Sequence, residues 1–389
     1  MLGPEHEYSL VNQELKVQPV ADKIIKAYCG KIINFVEFPS FTFGKEMQLH
    51  VMELKANSPF KSPVEFEETM QKGVLTLSQI VGKHGAFLLG TGVHPLLKLE
   101  DTSIWPHQHR KIYQEYGKLF NLNQHGWLNI QSFHLNLSYQ KEADAIQIHN
   151  FLAILSAYLP AIAASSPICE GKPGPDNDNR LHFYKINQKE IPSVTGEVIP
   201  EYATSLSAYK RSVIWRYSND LAKAGADKTL LSREWVNSRG VIFRFDRKAL
   251  EVRVMDEQEC VKSDVALSCF IRSALRGLIA QKTELLHHDL LVKDFNEVVK
   301  EGLNAQVLNP NGKTARQVCQ HYFNLAEEYA DEDEKRYLWI IKKRLENGSL
   351  SELIKNRVMR RAEKTVFHQA VIDVYSTLIK CLSDNEPYF

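Results

Sequence analysis

No stretch of this 389-residue sequence comes near the roughly 20 consecutive apolar residues that a bilayer-spanning helix needs. The nearest approach, FLAILSAYLPAIAASSP from Phe151, is interrupted by Pro160 and runs out in small polar residues. A charge excess is also missing. Lys and Arg number 48 against 47 Asp and Glu, a net charge of +1, whereas a phosphate-backbone binder carries a strong basic surplus or stripe. That balance leaves room for a local site that takes a small anion. The six cysteines lie far apart and include no CxxC pair, so neither a zinc knuckle nor a disulfide framework is indicated. The opening MLGPEHEYSL has acids where a signal peptide has a basic segment and an apolar run, so a reducing cytoplasm is the expected compartment. GxGxxG and internal repeats are absent. NGKT at 311–314 ends like a phosphate loop, but the first glycine of GxxxxGK[ST] would fall on Val307.

What is present reads as strands first and helices later. Glu5 to Val11, Ile32 to Phe43, Gln48 to Lys55 and Ala86 to Gly90 have strand character, and WLNIQSFHLNLSY, 127–139, has it most clearly. Helical patterns occupy Asp22 to Cys29, Pro63 to Val81, the nearly apolar run Ala143 to Ala164, and Tyr202 to Lys223. Val241 to Met255 reads as a hairpin turning at Asp246-Arg-Lys. Beyond Lys262 only helical periodicity remains, through Val265 to Lys282, Leu290 to Glu301, Thr314 to Ala330, Asp333 to Asn347 and Ser349 to Leu382. Thr314 is placed to be an N-cap. An antiparallel sheet with helices followed by a helical third is an α+β pattern. It divides into a sheet-built core over 1–290 and a helical region over 291–389. That region either covers the back of the sheet or contributes to a homodimer.

Four strand-like segments carry polar rows. Glu5 and Glu7 share a face by period two, as do Glu53 and Lys55. Ser132, His134, Asn136 and Ser138 form a complete row, and Glu251 and Arg253 another. Solvent-facing rows on half-exposed strands would explain any one of them. Four together suggest a second reading: paired carboxylates at i, i+2 repel unless a cation lies between them. Hard oxygen ligands on neighbouring strands suit Mg²⁺ with substrate phosphates, and an arginine beside them can hold phosphoryl oxygens through its planar fork.

The ordered set GPEHE, HVMELKANSP, GTGVHP, QSFHLNLS, SSP…G…NR and ALEVRVMD, spread over about residues 1–290, resembles the carboxylate–amine ligase family called glutamate–cysteine ligase type 2. The resemblance implies a glutamine-synthetase-like sheet funnel for ATP and divalent metal, Mg²⁺ or Mn²⁺ in its place. It assigns Glu5, Glu7, Glu53 and Glu251 to the metal, and Arg253, Gln131 and His134 to ATP. Catalytic roles fall to Arg253, Glu53 and His134, and substrate contacts to Arg180 and His94. The implied chemistry is attack of a substrate carboxylate on the γ-phosphate, then displacement of phosphate from the acyl phosphate by an amine; the partners are these small molecules, with no nucleic acid and no membrane. The sequence departs from the family where substrate choice is expected. Gly92 and Val93 separate Thr91 from His94, and the loop ICEGKPGPDNDN, 168–179, lacks the usual aspartate–threonine–glycine. Read from the residues alone, His94 is also a turn cap, Arg180 a surface arginine and WPHQHR, 105–110, a solvated helix start. A phosphotransferase of related architecture and a non-catalytic small-molecule binder remain the alternatives.

Overall fold

The structure, a computed structural model, describes residues 1–231 and 233–389. Among the described residues ten strands occur in chain order: β1 (Leu2–Val11), β2 (Phe35–Glu37), β3 (Phe41–Lys45), β4 (Val51–Ala56), β5 (Phe87–Leu89), β6 (Ser132–Ser138), β7 (Ile168–Cys169), β8 (Lys172–Pro173), β9 (Val241–Arg244) and β10 (Ala249–Asp256). β7 and β8 form a small ribbon of their own. The other eight make one antiparallel sheet in the order β2-β3-β4-β1-β6-β10-β9, with β5 pairing the last residues of β1. This is the α+β, glutamine-synthetase-like sheet funnel expected from the sequence.

Register decides which side chains meet. β1 lies between β4 and β6, with Glu7 opposite Glu53, Glu5 opposite Lys55, and Glu5 opposite His134. Glu251 of β10 faces Asn136 of β6. Because side chains alternate across a sheet, these pairings gather the polar rows on one face. The other face carries Tyr8, Met52, Leu54, Phe133, Leu135 and Leu250, all buried. It packs on the helices Pro63–Gly82 and Glu142–Ser156, and both of these contact the helix Val261–Ala280. Each such side chain taken fully from water stabilises the fold by about 1.5–3 kcal/mol.

Helix Pro63–Gly82 starts where Ser62 Oγ accepts the Val64 N–H at 3.2 Å and Pro63 supplies a preset φ. Helices Ala315–Tyr329 and Glu332–Asn347 rest on Val261–Ala280 and join the main core. Thr314 does cap the first of them, in a reciprocal box with Gln317. Helices Leu350–Ala362 and Phe367–Asp384 pack together and bury a second apolar cluster with Val11, Leu89 and Ile168. No helix among the described residues is long and apolar enough to cross a membrane.

Four elements differ from their sequence reading. The 127–139 strand begins only at Ser132, since His125–Leu128 forms a helical turn and the Asn129 side chain binds both main-chain polar groups of His94. The run 143–164 is two helices, because Pro160 cannot donate to the preceding turn and starts Pro160–Ala163 instead. Over 202–223 a π-helical turn, Lys210–Trp215, lies between two α-helical pieces. Ser349 to Leu382 is likewise two helices.

Candidate active site

The polar face of the sheet floors a cavity of about 300 Å³, lined among others by Glu5, Glu7, Glu53, His134 and Arg253. A second cavity, of about 550 Å³, adjoins it and shares Glu5, Lys55 and Arg247. Five of the residues singled out in the sequence therefore meet at one place. β1 delivers Glu5 and Glu7, β4 delivers Glu53, β6 delivers His134 and β10 delivers Arg253.

Each acid is held differently. Glu5 accepts from the Asn136 amide at 3.2 Å and is ion-paired to Arg247. Glu7 accepts the Ser132 N–H at 2.7 Å. Glu53 accepts from Lys55 Nζ at 2.9 Å. A further acid, Glu46, lies just past β3 in the same lining. Burial, followed by the charges of Glu46 and Glu53, pushes the Glu7 carboxyl well above the usual range. Burial likewise raises Glu46. It lifts Glu53 to about 7 against the opposing charge of Lys55, with Glu46 and Glu5 adding to the rise. Carboxyls that press one another upward in this way favour a cation between them. All are hard oxygen donors, so the set fits Mg²⁺.

Glu251 lies below the cavity floor, fully buried. Its Oε1 accepts from Arg253 Nε at 2.6 Å, and its other oxygen is paired with Arg244. Burial opposes its ionisation, but the charges of Arg253 and Arg244 outweigh burial and hold its pKa far below the carboxylate range. Arg253 also donates to the carbonyls of Trp235 and Asn237, at 3.5 and 3.3 Å. In this arrangement Glu251 orients the arginines. His134 is kept neutral, its pKa near 3, first by burial and then by the Arg253 charge. It has no proton to give as a cation at neutral pH.

Besides Glu251, three singled-out residues do not line the cavity. Arg180 is buried: Nε donates to Asp256 Oδ1 at 2.6 Å, Nη1 to Ser132 Oγ at 3.1 Å and Nη2 to the Arg253 carbonyl at 3.1 Å. Asp256 in turn accepts from Ser165 N at 2.8 Å and Ser166 Oγ at 2.6 Å. This network seals the 165–180 loop onto the end of β10, where the register shift between Val252 and Met255 lies. Gly92 is required there, since a Cβ would sit 2.2 Å from the Asp256 carboxyl. His94 caps its turn, with Nδ1 accepting the N–H groups of Leu96 and Leu97 at 3.1 and 3.0 Å. Gln131 is fully buried, and its side-chain amide has no hydrogen-bond partner.

Lys55 of the β4 row lines the cavity too, together with residues that the motifs did not point to. Lys45, Arg233, Arg244 and Arg247 join Lys55 and Arg253 in the lining, with Phe35, Tyr113 and Trp235 as aromatic wall. Lys55 Nζ stands 4.3 Å from the Phe35 ring centre, and Lys45 Nζ 4.7 Å from that of Tyr113. His109 of the WPHQHR segment is in the lining too. Arg247 could have been suspected, because the 246–248 turn connects two strands of which one carries a polar row.

Comparison with known proteins shows the family and the fold. The family model for glutamate-cysteine ligase family 2 matches residues 1–375. A protein of Archaeoglobus fulgidus described as uncharacterized is 45% identical over 388 residues, the full length of both chains. Among solved structures, a glutamate–cysteine ligase from Francisella tularensis, crystallised with AMP, has a TM-score of 0.62 at 14% identity and covers 98% of this chain and 88% of its own. A bifunctional glutathione synthetase from Pasteurella multocida has a TM-score of 0.63 at 16% identity over 97% of this chain, which spans only 52% of that enzyme. At such identities the two structures show a shared fold. The family match, running through both the sheet and the C-terminal helices, establishes that the chain belongs to glutamate-cysteine ligase family 2, a family of carboxylate–amine ligases.

Proposed function

We propose that this chain is an ATP-dependent ligase that joins a small carboxylate to an amine through an acyl phosphate. The observation carrying this reading is the composition of one cavity: six cationic side chains facing four carboxyls over a floor built by four neighbouring strands. Cations in that number suit a triphosphate together with a substrate carboxylate. The acids Glu5, Glu7, Glu46 and Glu53 would hold Mg²⁺, which when bound neutralises charge on the phosphate oxygens. Arg253, fixed by Glu251 from below and with Nη1 on the Trp235 and Asn237 carbonyls, is set to contact phosphoryl oxygens with Nη2 and to stabilise charge as the γ-phosphoryl moves. Lys55 and Arg247, now occupied by Glu53 and Glu5, become free to bind anions once a metal takes over those carboxyls. The aromatic wall gives a nucleobase an apolar face, in keeping with the AMP bound by the Francisella enzyme. Neutral His134 positions groups by hydrogen bonding. The altered 168–179 loop makes the identity of carboxylate and amine a matter for assay.

The test is a screen for ADP and phosphate release with Mg²⁺ over pairs of amino acids and amines, starting with glutamate and cysteine, with mass spectrometry of the product. ATP breakdown that needs both co-substrates and yields a condensed product is expected. A phosphorylated product with no phosphate released would replace the ligase reading by a phosphotransferase. Nucleotide binding without any turnover across the screen would leave a binding protein.

A further inference from the structure

The opposite face of β1 holds a second charged cluster. His6 lies between the two cavity acids in sequence but points into the helical layer, where it meets Glu257 and Asp264 from β10's exit and the helix Val261–Ala280. His6 Nδ1 is 3.2 Å from Glu257 Oε1 and 3.4 Å from Asp264 Oδ2, and all three side chains are fully buried. Among the described residues this is the group of three whose donor atoms gather within 4.8 Å of one another.

Charge and unmet bonding make this more than a structural triad. No lysine or arginine among the described residues ion-pairs with Glu257 or Asp264, so two carboxyls share a single imidazole wholly out of water. Burying charge without compensation costs several kcal/mol per ion. Among the described residues neither oxygen of Asp264 has a hydrogen-bond partner, and Oδ2 has only the 3.4 Å contact to the His6 ring. The buried Tyr8 hydroxyl also lies close enough to feel the charges of Glu257 and Asp264. Donors bound to one metal at about 2.0–2.2 Å in a tetrahedral arrangement lie about 3.3–3.6 Å apart, close to the separations seen here.

We propose that His6, Glu257 and Asp264 form a buried structural site for a divalent transition metal, separate from the Mg²⁺ set in the cavity. One imidazole nitrogen and two carboxylates suit an ion such as Zn²⁺ or Mn²⁺, and two positive charges would balance the site with His6 neutral. Since all three ligands are inaccessible, the ion enters as the chain folds and resists chelators afterwards. The site also reaches the cavity. Glu257 Oε2 accepts the backbone N–H of Glu7 at 3.0 Å, so an ion there would fix the strand that presents Glu5 and Glu7.

The experiment is elemental analysis of the full chain, denatured with chelator, refolded with Zn²⁺ or Mn²⁺, then stripped of loose metal by EDTA and gel filtration. The wild type and Glu53→Gln are expected to retain about one equivalent and Asp264→Asn below about a fifth of it. If Asp264→Asn does not fold, the wild type refolded with Co²⁺ decides: a chelator-resistant visible spectrum of nitrogen- and oxygen-bound Co²⁺ supports the site. A wild type that retains no metal, an Asp264→Asn protein that keeps it, or loss in Glu53→Gln instead would overturn the proposal. None of these readouts requires ligase activity, so the two readings can fail separately.

Discussion

The bond between Glu251 and Arg253 is the place where fold and chemistry can be tested together. Glu251→Gln keeps the shape and removes one charge. Glu251 is fully buried, while the Arg244 and Arg253 side chains are each 12% exposed, so the substitution leaves two poorly solvated cations facing a neutral amide. Breaking a buried pair from one side costs about 3–5 kcal/mol. The lower end applies, since Gln keeps one carbonyl acceptor and both arginines touch the cavity; about 3 kcal/mol is expected. Arg253→Gln leaves Glu251 with Arg244 and forfeits one charge-assisted hydrogen bond, about 1.5–3 kcal/mol. The double variant lacks the Arg253 charge and the bond and leaves only Arg244 facing the amide, so the two effects overlap by about 2 kcal/mol. Guanidinium unfolding curves of the four proteins measure this directly. ATP turnover should fall in both single variants, and Glu251→Gln should add little in the Arg253→Gln background. Stability effects that add to within about 0.5 kcal/mol would refute the idea that Glu251 acts through Arg253.

Three other outcomes follow from the geometry. Arg247→Gln removes an ion pair at the mouth of the cleft whose arginine is 40% exposed, so stability should move by less than about 1 kcal/mol while the KM for ATP rises several-fold; an unchanged KM would remove Arg247 from the anion site. Leu135→Ala, at a fully buried position behind His134's strand, should cost about 2–5 kcal/mol, read as a lower denaturation midpoint. The third concerns pH. Burial lowers the His149 pKa from 6.5 to about 4, so between those values the unfolded chain binds the proton and the folded chain does not. Stability is therefore full above 6.5 and declines as pH falls toward 4, by about 1.4 kcal/mol per pH unit for this group. His149→Phe, which can keep the stacking on Phe243, should flatten Tm against pH across that window, and an identical slope would exclude His149 as a contributor.

What could be read from the sequence was what period two encodes. The rows of β1, β4, β6 and β10 were visible because alternation is local, and antiparallel pairing then had only to bring them into register. Arg180 shows where locality ends. A Gly, Pro, Asp and Asn-rich loop argued for an exposed rim, but the residue is buried because Asp256, 76 positions later, and Ser132 receive its nitrogens. His94 likewise satisfies the nearest N–H groups instead of facing a substrate. Trp127 was drawn into the strand by its β propensity, yet its indole N–H donates to the Asn187 carbonyl, 60 residues away, and the chain enters β6 only after Asn129 has tied down His94. Glu46 and Arg247 were missed because each sits just off a strand end, where parity no longer says which way a side chain points.

The same locality explains why net charge was a poor guide. The chain is neutral to within one charge, yet the cavity is lined by six cations and four carboxyls, and Glu251 is paired just beneath them. A whole-chain count sees cancellation. The structure separates the signs by a few ångströms and buries them, and at low effective dielectric those separations carry the energy. Raised pKa values at Glu7, Glu46 and Glu53, beside a depressed one at Glu251, mark the division within a single face. The acids without an arginine press each other toward protonation, and the acid that has two arginines is held ionised. Carboxyls in the first condition are poised for a metal, and a carboxylate in the second is committed to orienting its partners. On the proposed reading Glu251 therefore belongs with Arg253 and not with Glu7 and Glu53, although the family resemblance groups them together with Glu5, which is itself paired to Arg247. The double-variant cycle measures that regrouping.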